Sequence, residues 1–474
     1  MLQVGIGIRE ITPPVGLPLG GFIARQNRPA THIDSPLHVR CLAVQAGGTP
    51  CSSCSPSFLF NFDLLGISAA LEAELLARLE AELGADFSRE RCLLTATHTH
   101  SAPVVMPLSG EAGPAPGYLE YLSFQTLEAA RLSLQSMQPA NLYTATVRLA
   151  GLTYNRRALL IDGRVSISPH PDMPVIERGP VDDRLTVLAW CNAAGETLAA
   201  VAHFACHGVA VLSQAVGADI PGELAGRVGA ALGGPCLFLQ GAAGDINPTT
   251  VTAGRADLLA WVEKAAAGLE GLRSRLRPIH QEPLRVIQSE LSLEYAQLPD
   301  QESAARQVRD LERIASGRPE ELEAADLQET LRAFKNTLNL PPDAKLEPAT
   351  ASFVARALAA AGRRRLAASV AGGASPARLR LAAWRLGGTV LVFVAAEVFS
   401  STGLRIRALR SGLDILPVSY LAPLTGYLPD RAALAQGGYE VNDAWRFYGH
   451  PAPFREETEE RMVLAIDSLL TGLE

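Results

Sequence analysis

Two histidines separated by one residue close an apolar segment near residue 100. Residues 93–97 read Leu-Leu-Thr-Ala-Thr and are followed by His98, Thr99 and His100. Side chains of a strand alternate between its two faces, so His98 and His100 are expected to project to the same side. Neutral imidazole offers a lone pair to a metal and titrates near neutral pH. The pair therefore predicts a metal ligand beside an acid/base group.

A second pair, His203 and His207, lies four residues apart in another apolar stretch. The spacing mimics the His-x-x-x-His pattern of zinc-binding helices, but the glutamate of that motif is absent. The β-branched context and Gly208 favour a strand end instead. We therefore predict His207 as a metal ligand and His203 as a buried or supporting histidine, with Cys206 as a buried thiol.

A carboxylate ends a third apolar segment, where residues 392–396 are followed by Glu397. Burying a carboxylate there is costly unless it is paired or bound to a metal. Two histidines and one carboxylate from separate strands form a common type of open zinc site. His98, His207 and Glu397 together predict such a site.

A glycine-rich turn follows the predicted strand at 236–240 and carries Asp245 and Asn247. Glycines let backbone N–H groups approach a substrate closely. The turn is not a phosphate loop, because the Gly-Lys-Ser/Thr ending is missing. Two interpretations stay open: a substrate-contacting turn, or a tight turn closed by its own Asp and Asn side chains.

The elements that must position these residues alternate between strands and helices. We expect strands at 42–44, 58–60, 91–94, 186–190, 198–204, 236–240, 379–386 and 389–396, and helices at 67–83, 221–232 and from about 456. This alternation predicts an α/β (α+β) protein with a mixed sheet. Gly387-Gly388 is expected to turn a hairpin between the last two strands.

Between residues 296 and 373 the composition shifts towards Arg, Glu, Ala and Leu, which indicates helices with solvated charged faces. The run of arginines at 363–365 is interpreted as part of such a face. Because predicted site residues lie on both sides of this segment, we expect one catalytic domain, residues 1–474, interrupted by a helical insertion at 296–373.

Composition excludes several classes of protein. The 474 residues are 48% hydrophobic and 19% charged, so the chain is neither disordered nor fibrous. A net charge of −7 argues against a nucleic-acid partner. No apolar stretch reaches the ~18 residues of a membrane span, and no secretory signal is apparent, so we expect a cytoplasmic protein. Cys51 and Cys54 are interpreted as thiols of a loop.

Ordered short motifs along nearly the whole chain resemble those of the neutral (non-lysosomal) ceramidases, zinc amidases that cleave N-acyl bonds. They are Gly5-Ile6-Gly7, Ile11-Thr12-Pro13-Pro14, Gly20-Gly21-Phe22, Thr97-His98-Thr99-His100-Ser101, Asn155-Arg156, Asp182-Asp183-Arg184-Leu185-Thr186-Val187-Leu188, Phe204-Ala205-Cys206-His207, Gly244-Asp245-Ile246-Asn247-Pro248, Ala396-Glu397 and Gly438-Tyr439-Glu440.

The resemblance implies a ceramidase-like fold and zinc held by four residues: His98, His207, Glu397 and Tyr439. It places His100 and Arg156 around the scissile carbonyl, and it implies a place in lipid, specifically sphingolipid, metabolism. The position of the family's proposed serine nucleophile is Asn247, which cannot form an acyl-enzyme. The chain is also expected to be a short member, without the C-terminal immunoglobulin-like domain that many members carry.

These observations predict a zinc-dependent hydrolase that cleaves an N-acyl amide bond in a small-molecule or lipid substrate, with metal-activated water as the nucleophile. His100 is expected to move the proton, Arg156 and the metal to stabilise the oxyanion, Asn247 to position water or substrate, and Asp245 to brace its loop. Two alternatives remain: a zinc esterase or lactonase using the same site, and a non-catalytic ceramidase-like binding protein. The oligomeric state, a homo-oligomer included, is left open.

Overall fold

The computed structural model describes residues 2–46, 55–167, 174–280, 282, 284–337 and 345–473. The Cys51 and Cys54 thiols lie outside these ranges.

The strands in these ranges are β1 (Leu2–Glu10), β2 (His32–Ile33), β3 (His38–Ala46), β4 (Ser57–Phe62), β5 (Cys92–Ala96), β6 (Gln138–Arg148), β7 (Thr153–Asn155), β8 (Ala158–Leu160), β9 (Val165–Ser166), β10 (Val175–Arg178), β11 (Arg184–Cys191), β12 (Thr197–Phe204), β13 (Ala215–Val216), β14 (Cys236–Gln240), β15 (Ile246–Pro248), β16 (Arg277–Pro278), β17 (Arg285–Leu293), β18 (Ala377–Leu386), β19 (Thr389–Val394), β20 (Glu397–Val398), β21 (Asp414–Val418) and β22 (Tyr427–Leu428).

The α-helices are α1 (Ala69–Leu83), α2 (Pro116–Gln135), α3 (Asp219–Leu232), α4 (Arg255–Ala267), α5 (Gln301–Ala315), α6 (Pro319–Leu322), α7 (Gln328–Thr337), α8 (Pro348–Val370), α9 (Ser400–Arg407), α10 (Arg431–Gln436), α11 (Tyr439–Asn442), α12 (Ala444–Phe447) and α13 (Thr458–Thr471). The predicted strands and helices are all confirmed, with boundaries displaced by a few residues.

A large mixed sheet carries the histidine segments. Its strand order is β14-β12-β11-β6-β1-β3-β4-β5, with β16 added beside β6. Most neighbours are antiparallel, but β12 pairs with β14 and β4 pairs with β5 in parallel. The predicted mixed-sheet α/β (α+β) class is therefore confirmed.

The two ends of this sheet lie close together. The N–H of Phe238 on β14 donates to Oδ1 of Asn61 on β4, at 3.3 Å. Farther along, the Gln240 amide donates to the Thr97 carbonyl at 3.1 Å. The sheet thus curls until β12 and β14 approach β4 and β5, and the polar segments that follow β5 and β12 meet at one place.

A second sheet, β17-β18-β19-β21, packs against the first. One hydrophobic cluster joins the two sheets, with Leu59, Leu93 and Leu237 from the large sheet beside Leu391 and Phe393 from β19. The predicted hairpin between β18 and β19 is confirmed. Beyond β19 the chain enters β20, which begins with Glu397 and pairs in parallel with β22.

Helices cover the outer face of the large sheet. Helices α1 and α2 pack on β3, β4 and β5, whereas α3 and α4 pack on β11, β12 and β14. None of the helices described here is long and apolar enough to cross a membrane.

The described part of residues 296–373 is helical, as predicted, and α5 packs along α8. Its hydrophobic cluster includes Leu311, Leu331 and Leu358, and it extends to Phe447 on α12. The interpretation of the arginine run as a solvated face holds only for Arg363, which is exposed. Arg364 and Arg365 are half-buried, because they lie against residues of the main body. The division into one domain with an insertion stays a prediction.

Candidate active site

The first histidine segment leaves β5 through a turn at His98. The strand ends at Ala96, and the N–H groups of Thr97 and His98 donate to the carbonyls of Phe62 and Leu64 at 2.8 and 2.9 Å. His98 has φ 63°, in the left-handed region that costs a non-glycine residue about 1–2 kcal/mol. The two histidines therefore do converge, but through this turn and not through strand alternation.

The second histidine segment is tied to the first by backbone hydrogen bonds. His207 follows β12, and its N–H donates to the Ile246 carbonyl at 3.1 Å. The N–H of His100 in turn donates to the Gly208 carbonyl at 2.9 Å. These main-chain hydrogen bonds fix the backbone from which the imidazoles of His100 and His207 project.

Three imidazoles converge in the buried interior, and their ligand atoms lie within 4.8 Å of one another. His98 Nε2 is 3.1 Å from His207 Nε2 and 3.2 Å from His100 Nε2. The Oε2 atom of Glu397 lies 3.3 Å from His98 Nε2 and 3.6 Å from His207 Nε2. The predicted trio of His98, His207 and Glu397 is thus brought together, with His100 beside it.

The tautomers of two imidazoles follow from their hydrogen bonds. His98 Nδ1 lies 2.6 Å from the Leu65 carbonyl, and His207 Nδ1 lies 2.8 Å from the Ala243 carbonyl. A carbonyl only accepts, so each Nδ1 carries a proton, and in the neutral imidazole each Nε2 then presents a lone pair. Two lone pairs and a carboxylate face one another at contact distance, an arrangement that a bound cation would stabilise. The donor set of nitrogen and carboxylate oxygen suits zinc.

Glu397 is completely buried, and tyrosine hydroxyls approach both of its carboxylate oxygens. Tyr420 Oη donates to Oε2 at 3.2 Å, and Tyr448 Oη donates to Oε1. Burial raises the pKa of Glu397, but His98 and the Tyr448 hydroxyl outweigh it and hold that pKa below its ordinary value. Burial, reinforced by His98, lowers the pKa of both His100 and His207 well below the ordinary value. His100 and His207 are therefore held neutral beside an ionised Glu397 carboxylate.

Arg156 lies in a buried charged group next to this site. Its Nε donates to Glu440 Oε1 and its Nη2 donates to the Tyr427 hydroxyl, both at 2.9 Å. Arg157 Nη1 donates to the other oxygen of Glu440 at 2.7 Å. Two guanidinium groups share one carboxylate, so these three residues together carry one net positive charge.

Asp245 and Asn247 occupy the glycine-rich turn as predicted. The Asp245 carboxylate accepts the N–H of Ser400 at 2.7 Å and the amide of Asn155, and its bracing role stays a prediction. Burial raises the pKa of Asp245 to about 6, although the Ser400 N–H opposes this. Asn247 is 6% exposed, and among the described residues its Oδ1 has no hydrogen-bond partner. Such an acceptor is available to a donor on a substrate or water.

The N-terminal segment forms one wall behind His100. The Phe22 ring lies 4.8 Å from the imidazole of His100, centroid to centroid. Arg25 is 2% exposed and donates to the carbonyls of His100, Gly20 and Val211. This arginine thus joins the histidine segment to its neighbours through backbone acceptors.

Replacing Gly21 by alanine is expected to displace His100. Gly21 has φ +89°, and a Cβ there would lie 2.5 Å from His100 Nδ1. Gly16 is the matched control, because it has φ +105° with open space around it, so Gly16→Ala carries the strain of about 1–2 kcal/mol without the clash. Urea unfolding should show destabilisation in both variants, larger in Gly21→Ala because the clash adds to the strain, whereas zinc-supplemented turnover should be lost only in Gly21→Ala. Equal turnover in the two variants would contradict this.

His203 is a buried histidine away from the ligand cluster, as predicted. Its Nε2 donates to the Pro417 carbonyl at 2.7 Å, and Arg407 Nη2 lies 3.4 Å from its Nδ1. Burial, and then the charge of Arg407, lower the pKa of His203 from 6.5 to about 4. Cys206 is also buried, with a free thiol, as predicted.

This histidine makes the fold acid-sensitive. Below pH 6.5 the unfolded chain binds a proton at His203 that the folded protein binds only near pH 4, so stability falls as the pH drops through that window. The contribution of His203 is a loss of about 2 kcal/mol between pH 7 and pH 5. Urea unfolding of the wild type and His203→Gln at both pH values should show a smaller pH dependence in the variant. An unchanged dependence would refute the assignment.

Tyr439, the fourth predicted ligand, packs against other aromatic rings. Its ring lies 6.0 Å from that of Tyr427 and packs near Phe447. The tyrosines that hydrogen-bond to Glu397 are Tyr420 and Tyr448, and the one paired with Glu397 across β20 and β22 is Tyr427. The ligand role of Tyr439 stays a prediction.

Sequence reasoning missed several residues of the site. They are Arg25, Arg157, Tyr420, Tyr427, Glu440 and Tyr448. The available signal was a set of tyrosines 23 to 51 residues after a buried glutamate, in a region of glycine and proline.

Comparisons with known proteins agree with the fold. No protein-family profile matches the chain. Over 160 residues it is 30% identical to the neutral ceramidase of Pseudomonas aeruginosa, and this match spans 31% of the chain and 22% of that relative.

The structural likeness extends over the whole chain. The crystal structure of neutral ceramidase from Pseudomonas aeruginosa matches with a TM-score of 0.68 at 17% identity, covering 100% of this chain and 74% of that one. A ceramidase complexed with C2 matches with a TM-score of 0.70 at 16% identity, covering 100% and 75%. The resemblance that the motifs indicated is therefore confirmed, and this protein has the fold of neutral ceramidase.

Proposed function

We propose that this protein is a zinc-dependent hydrolase that cleaves the amide bond of an N-acylated small molecule or lipid. The observation that carries the proposal is the pair of imidazoles of His98 and His207. Their Nδ1 atoms are committed to carbonyls while their Nε2 lone pairs face each other at 3.1 Å beside Glu397. The fold of neutral ceramidase supports an amide as the substrate.

His98, His207 and Glu397 would hold the zinc, with Tyr439 as the proposed fourth ligand. Zinc bound there would polarise the scissile carbonyl and lower the pKa of water to about 7. Backbone carbonyls fix the first two imidazoles in the tautomer that a ligand needs. A water nucleophile agrees with Asn247, since an amide side chain cannot form an acyl-enzyme.

His100 differs from the two other histidines in a way that suits proton transfer. It contacts the Gly21 backbone, and its Nδ1 makes no hydrogen bond as close as those that fix the tautomers of His98 and His207. Its lowered pKa keeps it neutral and able to accept a proton. We therefore assign His100 to taking the proton from water and delivering it to the leaving amine.

Arg156 and Asn247 would hold the substrate. The guanidinium of Arg156 is fixed by Glu440 and Tyr427, so its charge is oriented before a substrate binds. Asn247 Oδ1 offers a buried acceptor, which suits the N–H of a secondary amide. Asp245 keeps the Asn247 turn in place through Ser400 and Asn155.

The test combines metal analysis with a matched substrate panel. Purified protein is expected to contain zinc, to hydrolyse N-acyl amides of different chain lengths, to lose turnover with a chelator and to regain it with zinc. Esters and lactones with the same acyl groups are the comparison. Turnover of these alone would identify an esterase or lactonase, and zinc without any turnover would identify a binding protein. Protein that binds no zinc would overturn the proposal.

A further inference from the structure

The Tyr448 hydroxyl connects Glu397 to a distant part of the chain. It donates to Glu397 Oε1, while Oε2 faces His98 and His207. A carboxylate ligand is oriented by what its second oxygen contacts, and such outer contacts tune metal affinity. The position of Tyr448 therefore bears on how Glu397 presents Oε2.

Tyr448 directly follows the short helix α12 and is packed closely. Its ring lies edge-on to Tyr427, with centroids 6.0 Å apart. On another side is Gly426, with φ +110°, where a Cβ would lie 2.7 Å from Tyr448 Cγ. The position of the Tyr448 ring between these neighbours therefore depends on the backbone of α12.

Helix α8 holds that backbone through Arg364. Its Nη2 donates to the Arg446 carbonyl at 2.9 Å and to Ser109 Oγ at 2.6 Å. Ser109 completes the link, because its hydroxyl donates to the Arg446 carbonyl at 2.8 Å and its N–H donates to the Phe447 carbonyl at 2.8 Å. The two residues before Tyr448 are therefore fixed by one arginine and one serine.

Apolar contacts fix the same backbone from α5, α7 and α8. Phe447 is buried in the cluster formed by these helices, with Leu311, Leu331 and Leu358. The Arg365 guanidinium lies over the Trp445 ring, 5.4 Å from its centroid. The helices thus contact three successive residues of α12, each within three positions of Tyr448.

We propose that the helices of residues 296–373 position Tyr448 on Glu397, and that Arg364 is a positioning residue of the metal site. The inference rests on the metal-binding part of the proposed function. In this role the helical segment would influence zinc affinity without contributing a zinc ligand.

The test measures zinc affinity by competition with a chelator, in parallel with urea unfolding. Tyr448→Phe removes one oxygen and is expected to weaken zinc binding by roughly 10–100-fold. Arg364→Met is expected to weaken it in the same direction. Arg363→Met is the matched control, since Arg363 is on the same helix but pairs with the exposed Glu312. It should leave zinc affinity unchanged.

A double variant separates positioning from general destabilisation. If Arg364 acts through Tyr448, adding Arg364→Met to Tyr448→Phe should weaken zinc binding little further. Arg364→Lys, which retains the charge but not the fork, is the second variant should Arg364→Met fold poorly. Additive losses, or zinc affinities equal to the wild type, would overturn this inference alone. A wild-type protein without zinc would overturn the proposed function with it.

Discussion

His207→Ala is expected to release zinc from the purified protein and to abolish hydrolysis. The substitution removes the Nε2 lone pair that faces His98 at 3.1 Å, and it leaves the Ala243 carbonyl without its donor. Loss of a direct ligand should exceed the roughly 10–100-fold drop in affinity caused by losing an outer contact. Zinc content by elemental analysis and kcat/KM on the best amide are the measurements.

His32→Ala is the control for this prediction, because His32 is exposed on β2 and should change neither zinc content nor rate. His98→Ala is expected to behave like His207→Ala. Full zinc occupancy in either ligand variant would place the metal elsewhere in the protein.

His100→Gln is expected to keep its zinc while losing about 10²- to 10⁴-fold in kcat/KM. Glutamine retains polar atoms near the position of the imidazole but cannot take up a proton. The Nδ1 atom of His100 also makes no hydrogen bond as close as the 2.6 and 2.8 Å bonds that fix the tautomers of His98 and His207. His100→Gln should therefore retain its zinc, whereas His98→Ala and His207→Ala should lose it.

The pH–rate profile gives a second readout for His100. In the wild type the acid limb should report the group that accepts the proton, and in His100→Gln that limb should disappear or move. Zinc lost together with activity would instead make His100 a third histidine ligand, as its Nε2 atom, 3.2 Å from that of His98, also allows.

Much of the fold could be predicted because its strands are continuous apolar runs between polar turns. β4, β5, β14 and β19 are fully buried, so nearly every residue in them is hydrophobic and the segments stand out. The polar residues that follow such strands, His98, His207 and Glu397, are conspicuous for the same reason.

The surroundings of the site could not be predicted in this way. The hydroxyls of Tyr420 and Tyr448 reach Glu397 across separations of 23 and 51 residues, and Arg364 reaches Ser109 across 255. Such contacts leave no periodic pattern in the sequence, because they depend on how whole elements pack. The left-handed turn at His98 was missed because no glycine marks it and the apolar run before it predicted an extended continuation of the strand.

The curling of the large sheet has a thermodynamic consequence. His98 follows β5 and His207 follows β12, near the opposite ends of the strand order, so an ion shared by them would bridge the closure. The unfolded chain has no such preassembled arrangement, so the ion would bind the folded protein preferentially. Its binding would therefore increase the free energy of unfolding. At a free concentration 100 times Kd this amounts to about 2.7 kcal/mol. The melting temperature should accordingly rise with the concentration of free metal, because the bound ion would join the two ends of the sheet reversibly.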